Sequence, residues 1–168
     1  MTVGGLGALD SLPRGQLQEQ LSSCCAAPAW VEQMSDGWPY PDVESMLAAS
    51  DRAVAHLGPD DLARALAAHP RIGERADGSS TEATWSRQEQ ASVAAADTVV
   101  QKALHDGNLA YENRFGHVFL IAASGRSAPE MLAALRERLG NDPDTEEKIV
   151  TEELRKITRL RLERLLAS

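Results

Sequence analysis

The sequence predicts an all-α fold, and three observations predict it. Apolar residues recur three and four positions apart along almost the whole chain. Alanine and leucine dominate where a sheet would take valine, isoleucine and aromatics. The one aromatic and β-branched run, "HVFLIAASG", is too short to define a sheet. The expected architecture is a single-domain helical bundle over residues 1–168, of about seven to nine helices, with one short irregular or extended segment near residues 117–125. A chain of this length can bury roughly 70% of its unfolded surface around one core.

Each element follows from local signals. Asp10, Ser11 and Pro13 open a first helix, and "APAWVEQM" forms a second. "SDGWPYPD" breaks the chain with a glycine and two prolines. Asp42 caps "VESMLAASDRAVAHL", and "GPDDLARALAAH" starts with proline just inside the helix. That helix ends near His69, because Pro70 disfavours helical backbone in the residue before it. The loop "RIGERADGSS" follows. Thr81 or Ser86 then opens a long helix to about His105, ended by "DGN", and "LAYENRFG" forms a further helix. "APEMLAALRERLGN" and "TEEKIVTEELRKITRLRLERLLAS" are amphipathic helices joined by "NDPD".

Composition narrows the function. Seventeen Lys and Arg against twenty-five Asp and Glu give a net charge of -8, which repels polyanions and argues against nucleic acid as a partner. One local arginine could still hold a small anion. No eighteen apolar residues run together and the start lacks a basic, then apolar, leader pattern, so no membrane partner and a cytoplasmic location are expected. Cys24 and Cys25 are neighbours, too strained for a disulfide and without a second ligand pair for structural zinc; core packing suits them, as it does Trp30.

Among the histidines, His56 lies on a helix without an acidic or cysteine partner, His105 sits at an expected helix end, and His117 falls in a polar turn; structural roles suffice for these. His69 differs, because Pro70 fixes its backbone and the loop after it lets other elements approach the imidazole. Ser86, Glu89 and Gln90 stand on one helix face. Ser-x-x-Glu is also the pattern of a capping box, in which both side chains satisfy backbone N–H groups. Gln90 has no part in such a box, and its amide can both donate to and accept from a planar heterocycle. His69 and Glu89 alone are too few for a metal site, and no phosphate loop, nucleophile elbow or dinucleotide fingerprint is present. Lys102, Lys148 and Lys156 lie outside apolar runs that would suit a Schiff base. The expected chemistry uses no cofactor.

Taken together and in order, "CC" with "WVEQM", "AHPRIG", "SRQEQ", "YENRFGHVFLIAASG" and "KITRLRLERL" resemble the 2-oxo-4-hydroxy-4-carboxy-5-ureidoimidazoline (OHCU) decarboxylases of urate breakdown, over residues 24 to 165. The resemblance implies an all-helical, cofactor-independent and usually dimeric carboxy-lyase that forms (S)-allantoin from OHCU in purine catabolism. By motif match, His69 and Glu89 are the catalytic pair. Pro70, the segment Ser86, Arg87, Gln88, Glu89 and Gln90, the backbone of Ile121, Ala122, Ala123, Ser124 and Gly125, and Arg161 contact substrate. Arg159, two residues before Arg161, competes for that last assignment. Functional coupling to an upstream 5-hydroxyisourate hydrolase is a further expectation. Two other readings stand beside it: a non-catalytic helical module for a small anionic heterocycle, and a metal-dependent hydrolase using His69 and Glu89.

Overall fold

The computed structural model describes residues 6–73 and 80–167; the stretch "ERADGS" of the loop after His69 lies outside the described residues. Ten helices and no strand are found among them: α1 (Leu6–Asp10), α2 (Arg14–Ser22), α3 (Pro28–Asp36), α4 (Val43–Ala55), α5 (Pro59–Ala67), α6 (Thr81–Glu89), α7 (Ala91–Ala94), α8 (Thr98–Phe115), α9 (Ala128–Arg138) and α10 (Pro143–Ala167). The all-α expectation holds, and the segment between α8 and α9 is irregular as predicted. The count exceeds the expected seven to nine by one, and two of the ten, α1 and α7, are short. No helix among the described residues is long and apolar enough to cross a membrane.

The chain divides into two compact units, one comprising residues up to Ala65 together with those from Leu154 onward, the other Leu66–Glu153. In the first, α3 packs with α2 and α4. Trp30, Met34, Met46, Leu154 and Leu162 are completely buried there. Trp30 also donates its indole N–H to Ser50 Oγ at 3.1 Å, which satisfies the polar end of a large buried ring. Cys24 and Cys25 are free thiols in this core, as expected. Asp42 caps α4 as predicted, accepting from Ser45 N at 2.7 Å.

The second unit packs α8 against α9. Its apolar core joins Ile72, Val93, Leu104, Tyr111, Phe119, Ile121, Met131 and Leu135. Here the helix boundaries depart from the sequence reading. The expected helix from Thr81 to His105 is broken twice. Gln90 leaves helical backbone, with φ -100° and ψ 17°. Asp97 then starts α8 as an N-cap, accepting from Val100 N at 3.0 Å. "DGN" does not end α8; the helix runs through it to Phe115, absorbing the separate "LAYENRF" helix and leaving His105 exposed in mid-helix. Packing overrides the turn signal: a Cβ on Gly107 would collide with Leu135 of α9, and Asn108 is buried with its Nδ2 donating to the carbonyl of Ile72. α8 stops at Gly116, whose φ of 79° favours glycine.

Candidate active site

α5 ends at Ala67, and the N–H of His69 donates to Leu66 O at 3.0 Å, finishing the last turn. His69 and Pro70 are half-buried. Three successive residues then pin the chain. Arg71 Nε reaches both carboxylate oxygens of Glu112, at 3.0 and 2.9 Å. Ile72 enters the core, and its carbonyl accepts from Asn108 Nδ2 at 2.6 Å. Gly73, at φ 95°, donates its N–H to Gln90 Oε1 at 2.9 Å. Arg71 is too exposed for its ion pair to stabilise much. The buried Asn108 bond and the Ile72 side chain do more to fix where His69 stands.

The second segment is not a capping box. α6 is capped by Ser80, whose Oγ accepts from Ala83 N at 3.1 Å. Ser86 is therefore a buried mid-helix residue, and Glu89 is the last residue of α6, half-buried. Arg87 is partly buried, with Nη2 3.4 Å from Thr84 Oγ1, and Gln88 is exposed. The Gln90–Gly73 bond joins this segment to the loop that follows His69, so the two stretches that opened the functional reading are brought together.

The third segment runs past α8. Ile121 and Ala123 are buried, Ala122 is half-buried, and Ser124 and Gly125 are exposed in a turn closed by Arg126 N–H to Ala123 O at 3.1 Å. Gly125 has φ 79°. Ala122 is already committed on both sides: its N–H donates to Glu153 Oε1 at 3.3 Å, and its carbonyl accepts from Arg126 Nε at 3.1 Å. A ring recognised by this backbone must therefore find its N–H donors elsewhere in the segment, while the Ala122 carbonyl keeps a second lone pair. Ser92 Oγ donates to Arg126 O at 2.7 Å, tying the segment to α7 just beyond Gln90.

A cavity of about 330 Å³ opens beside Gln90, with Gly73, Ser86, Arg87, Val93 and Gln101 in its wall. That size suits a single small polar molecule. Among the described residues, His69, Glu89 and the segment from Ile121 to Gly125 lie outside this wall. No group of three His, Cys, Asp or Glu side chains that could hold a metal ion occurs among the described residues.

Arg161 belongs to the part of α10 in the other unit, where it is buried at 4% exposure. Arg159 points elsewhere in that unit: its Nη1 pairs with Asp51 Oδ2 at 2.9 Å, a carboxylate that Arg155 also approaches at 3.6 Å. The Cys25 thiol is pushed up to about 11 by burial, despite the nearby Arg161 charge, which suits an inert core residue rather than a nucleophile.

Sequence reasoning missed Gln101, Asn108, Arg126 and Glu153. Asn108 was hidden because "DGN" has the composition of a turn. Arg126 and Glu153 are 27 positions apart, and only the fold brings Arg126 Nη2 within 3.8 Å of Glu153 Oε1.

These observations define a class: an all-helical protein in which the loop after a histidine at a helix end and a glutamine-bearing helix end are tied together beside a small cavity. Comparison with known proteins makes the class specific. The family model for OHCU decarboxylase matches residues 10–163, across both units. The uric acid degradation bifunctional protein TTL of Arabidopsis thaliana is 34% identical over 153 residues, covering 89% of this chain; the chain spans only 47% of that protein. The 2-oxo-4-hydroxy-4-carboxy-5-ureidoimidazoline decarboxylase of Mus musculus is 29% identical, covering 85% of this chain and 79% of its own. A crystal structure of OHCU decarboxylase in the presence of (S)-allantoin superposes with a TM-score of 0.78 at 30% identity, covering 89% of this chain and 99% of that one. The chain belongs to the OHCU decarboxylase family, a family of carboxy-lyases.

Proposed function

We propose that this protein decarboxylates OHCU to (S)-allantoin in urate breakdown, with His69 and Glu89 as its catalytic pair and without a cofactor. Membership of the family across residues 10–163 carries this reading. In the reaction the bond from ring carbon to carboxylate breaks, carbon dioxide leaves, and the electron pair passes into the imidazoline ring. A proton must then reach the neighbouring, ureido-bearing ring carbon on one face, while the hydroxyl on the carbon that lost carbon dioxide gives up its proton and becomes the ring carbonyl of allantoin. His69 follows the end of α5, where the helix dipole favours a cation, and so suits proton delivery near neutral pH. Glu89 orients His69 or accepts from substrate N–H groups. The peptide groups of Ile121, Ala123, Ser124 and Gly125 hold the ring, and Ser86, Arg87, Gln88, Gln90 and Pro70 contact the substrate. Ala122 contributes by keeping the segment in place. Arg161 stabilises a ring oxygen; a clamp on the departing carboxylate would favour the ground state over the transition state.

Freshly made OHCU, followed by the circular dichroism of the allantoin formed, tests this with no metal added. Turnover is expected, and it should survive a chelator; a rate lost to chelation and restored by zinc would favour the hydrolase reading. Arg161→Ala should weaken turnover far more than Arg159→Ala, because the Arg159 guanidinium is spent on Asp51. The reverse ranking would transfer the role.

The protein is further proposed to act in the cytoplasm as a homodimer, as its family resemblance implies. Light scattering at micromolar concentration should report twice the chain mass, and a monomer would remove the claim. Coupling to an upstream 5-hydroxyisourate hydrolase is also proposed, since OHCU must be supplied by a ring-opening reaction.

A further inference from the structure

Gln101 of α8 shares the cavity wall with Ser86 and Gln90, and the decarboxylase reading gives it no task. Two glutamine amides share this cavity, and hydrogen bonds fix the sense of each. The Gly73 N–H, 2.9 Å from Gln90, requires an acceptor, so Gln90 spends Oε1 and keeps Nε2 as a donor. The carbonyls of Val93 and Ala94, at 3.0 and 3.4 Å from Gln101, require a donor, so Gln101 spends Nε2 and keeps Oε1 as an acceptor. Among the described residues, the donor left to Gln90 and the acceptor left to Gln101 therefore belong to residues of a single cavity wall, with Ala91, Val93 and Ala94 as its apolar part.

We propose that Gln101 and Gln90 form the subsite for the ureido arm of the substrate, with Gln101 as a specificity-determining residue. This rests on the decarboxylase reading, which supplies a substrate bearing such an arm. A ureido group is planar and carries one carbonyl acceptor beside N–H donors. Gln90 Nε2 donates to that carbonyl, Gln101 Oε1 accepts from an N–H, and the apolar wall lies against the flat face. A carboxylate has no donor to offer Gln101 Oε1, so the glutamine pair, unlike the neighbouring Arg87, matches the arm rather than the carboxylate. Both amides are held in place before substrate arrives, so little ordering cost falls on binding.

The test compares two ligands by calorimetry: (S)-allantoin, which carries the ureido arm, and hydantoin, the same ring without it. Wild type should bind allantoin more tightly than hydantoin. Gln101→Leu should weaken allantoin about tenfold and hydantoin by less than about twofold, the size expected when one buried hydrogen bond is lost. Gln101→Met, closer in shape, should show the same split if Gln101→Leu folds poorly. Equal weakening of both ligands, or of neither, overturns the subsite. Wild type that turns over OHCU yet binds allantoin no better than hydantoin overturns it while leaving the decarboxylase reading intact. Wild type that neither turns over OHCU nor binds allantoin overturns both.

Discussion

Glu89→Gln is expected to lower OHCU turnover by about a hundredfold or more while leaving the melting temperature close to that of the parent. The competing explanation of Ser86 and Glu89 as a helix cap predicts near-normal turnover, and the structure removes its basis, because Ser80 caps α6 and Glu89 is the final helical residue. A carboxylate at a helix C-terminus opposes the dipole, so neutralising it should not cost stability on that account. His69→Asn should behave likewise, since asparagine is tolerated at a helix end but cannot deliver a proton near neutral pH. The double variant should be much less impaired than the product of the two single losses, as residues acting together are not additive. Rates and melting temperatures of all four proteins decide it: normal turnover in Glu89→Gln would remove Glu89 from the catalytic pair.

Where a side chain answers a local backbone need, the sequence was a reliable guide. Asp42 before a helical run, Pro59 inside a first turn and Pro70 behind His69 each act within a few residues, and each element starts or stops where these residues require. Gly107 and Asn108 mislead for the opposite reason. Their composition says turn, yet a close approach to Leu135 and a bond to Ile72 O hold them in helix, and both partners are distant in sequence. Locally the helix is only weakly disfavoured, so two tertiary contacts are enough to decide it.

The candidate site shows the same division. Spacing alone put Ser86, Glu89 and Gln90 on one face, and the pairing of this segment with the residues after His69 appears as the Gln90–Gly73 bond. The consequence of that bond was not readable: Gln90 gives up its acceptor to the protein and keeps only donors for a ligand. Ala122 is similar. The family resemblance implied ring contacts for it, but its N–H goes to Glu153, far along the chain, and its carbonyl accepts from Arg126. Side chains that position other groups carry no local pattern, and so they become visible only in the folded chain.

The largest stability effect is expected at Arg138 and Glu146, which hold the segment after α8 from behind. Both side chains are almost wholly buried, and the guanidinium meets the carboxylate through Nη2 at 2.7 Å and Nε at 2.9 Å. Its remaining Nη1 donates to Leu120 O at 2.8 Å, and its plane lies 4.5 Å from the Phe119 ring centroid. The Tyr111 hydroxyl also donates to Glu146, and burial, then this carboxylate, pushes the phenol well above its ordinary value, so it remains a donor. Nearly every polar atom of the pair is thus used, and removing one partner strands the other charge in the core. Arg138→Met and Glu146→Leu should each cost about 3–5 kcal/mol in urea unfolding. The double variant should be less destabilised than the more severe single one, because no buried charge is left. Arg138→Met should also raise KM for OHCU, since Leu120 adjoins the segment proposed to hold the ring, and adding Glu146→Leu should restore stability without restoring KM. Simple additivity of the two stability losses would show that the charges are solvated rather than buried together, and an unchanged KM would separate this network from the site.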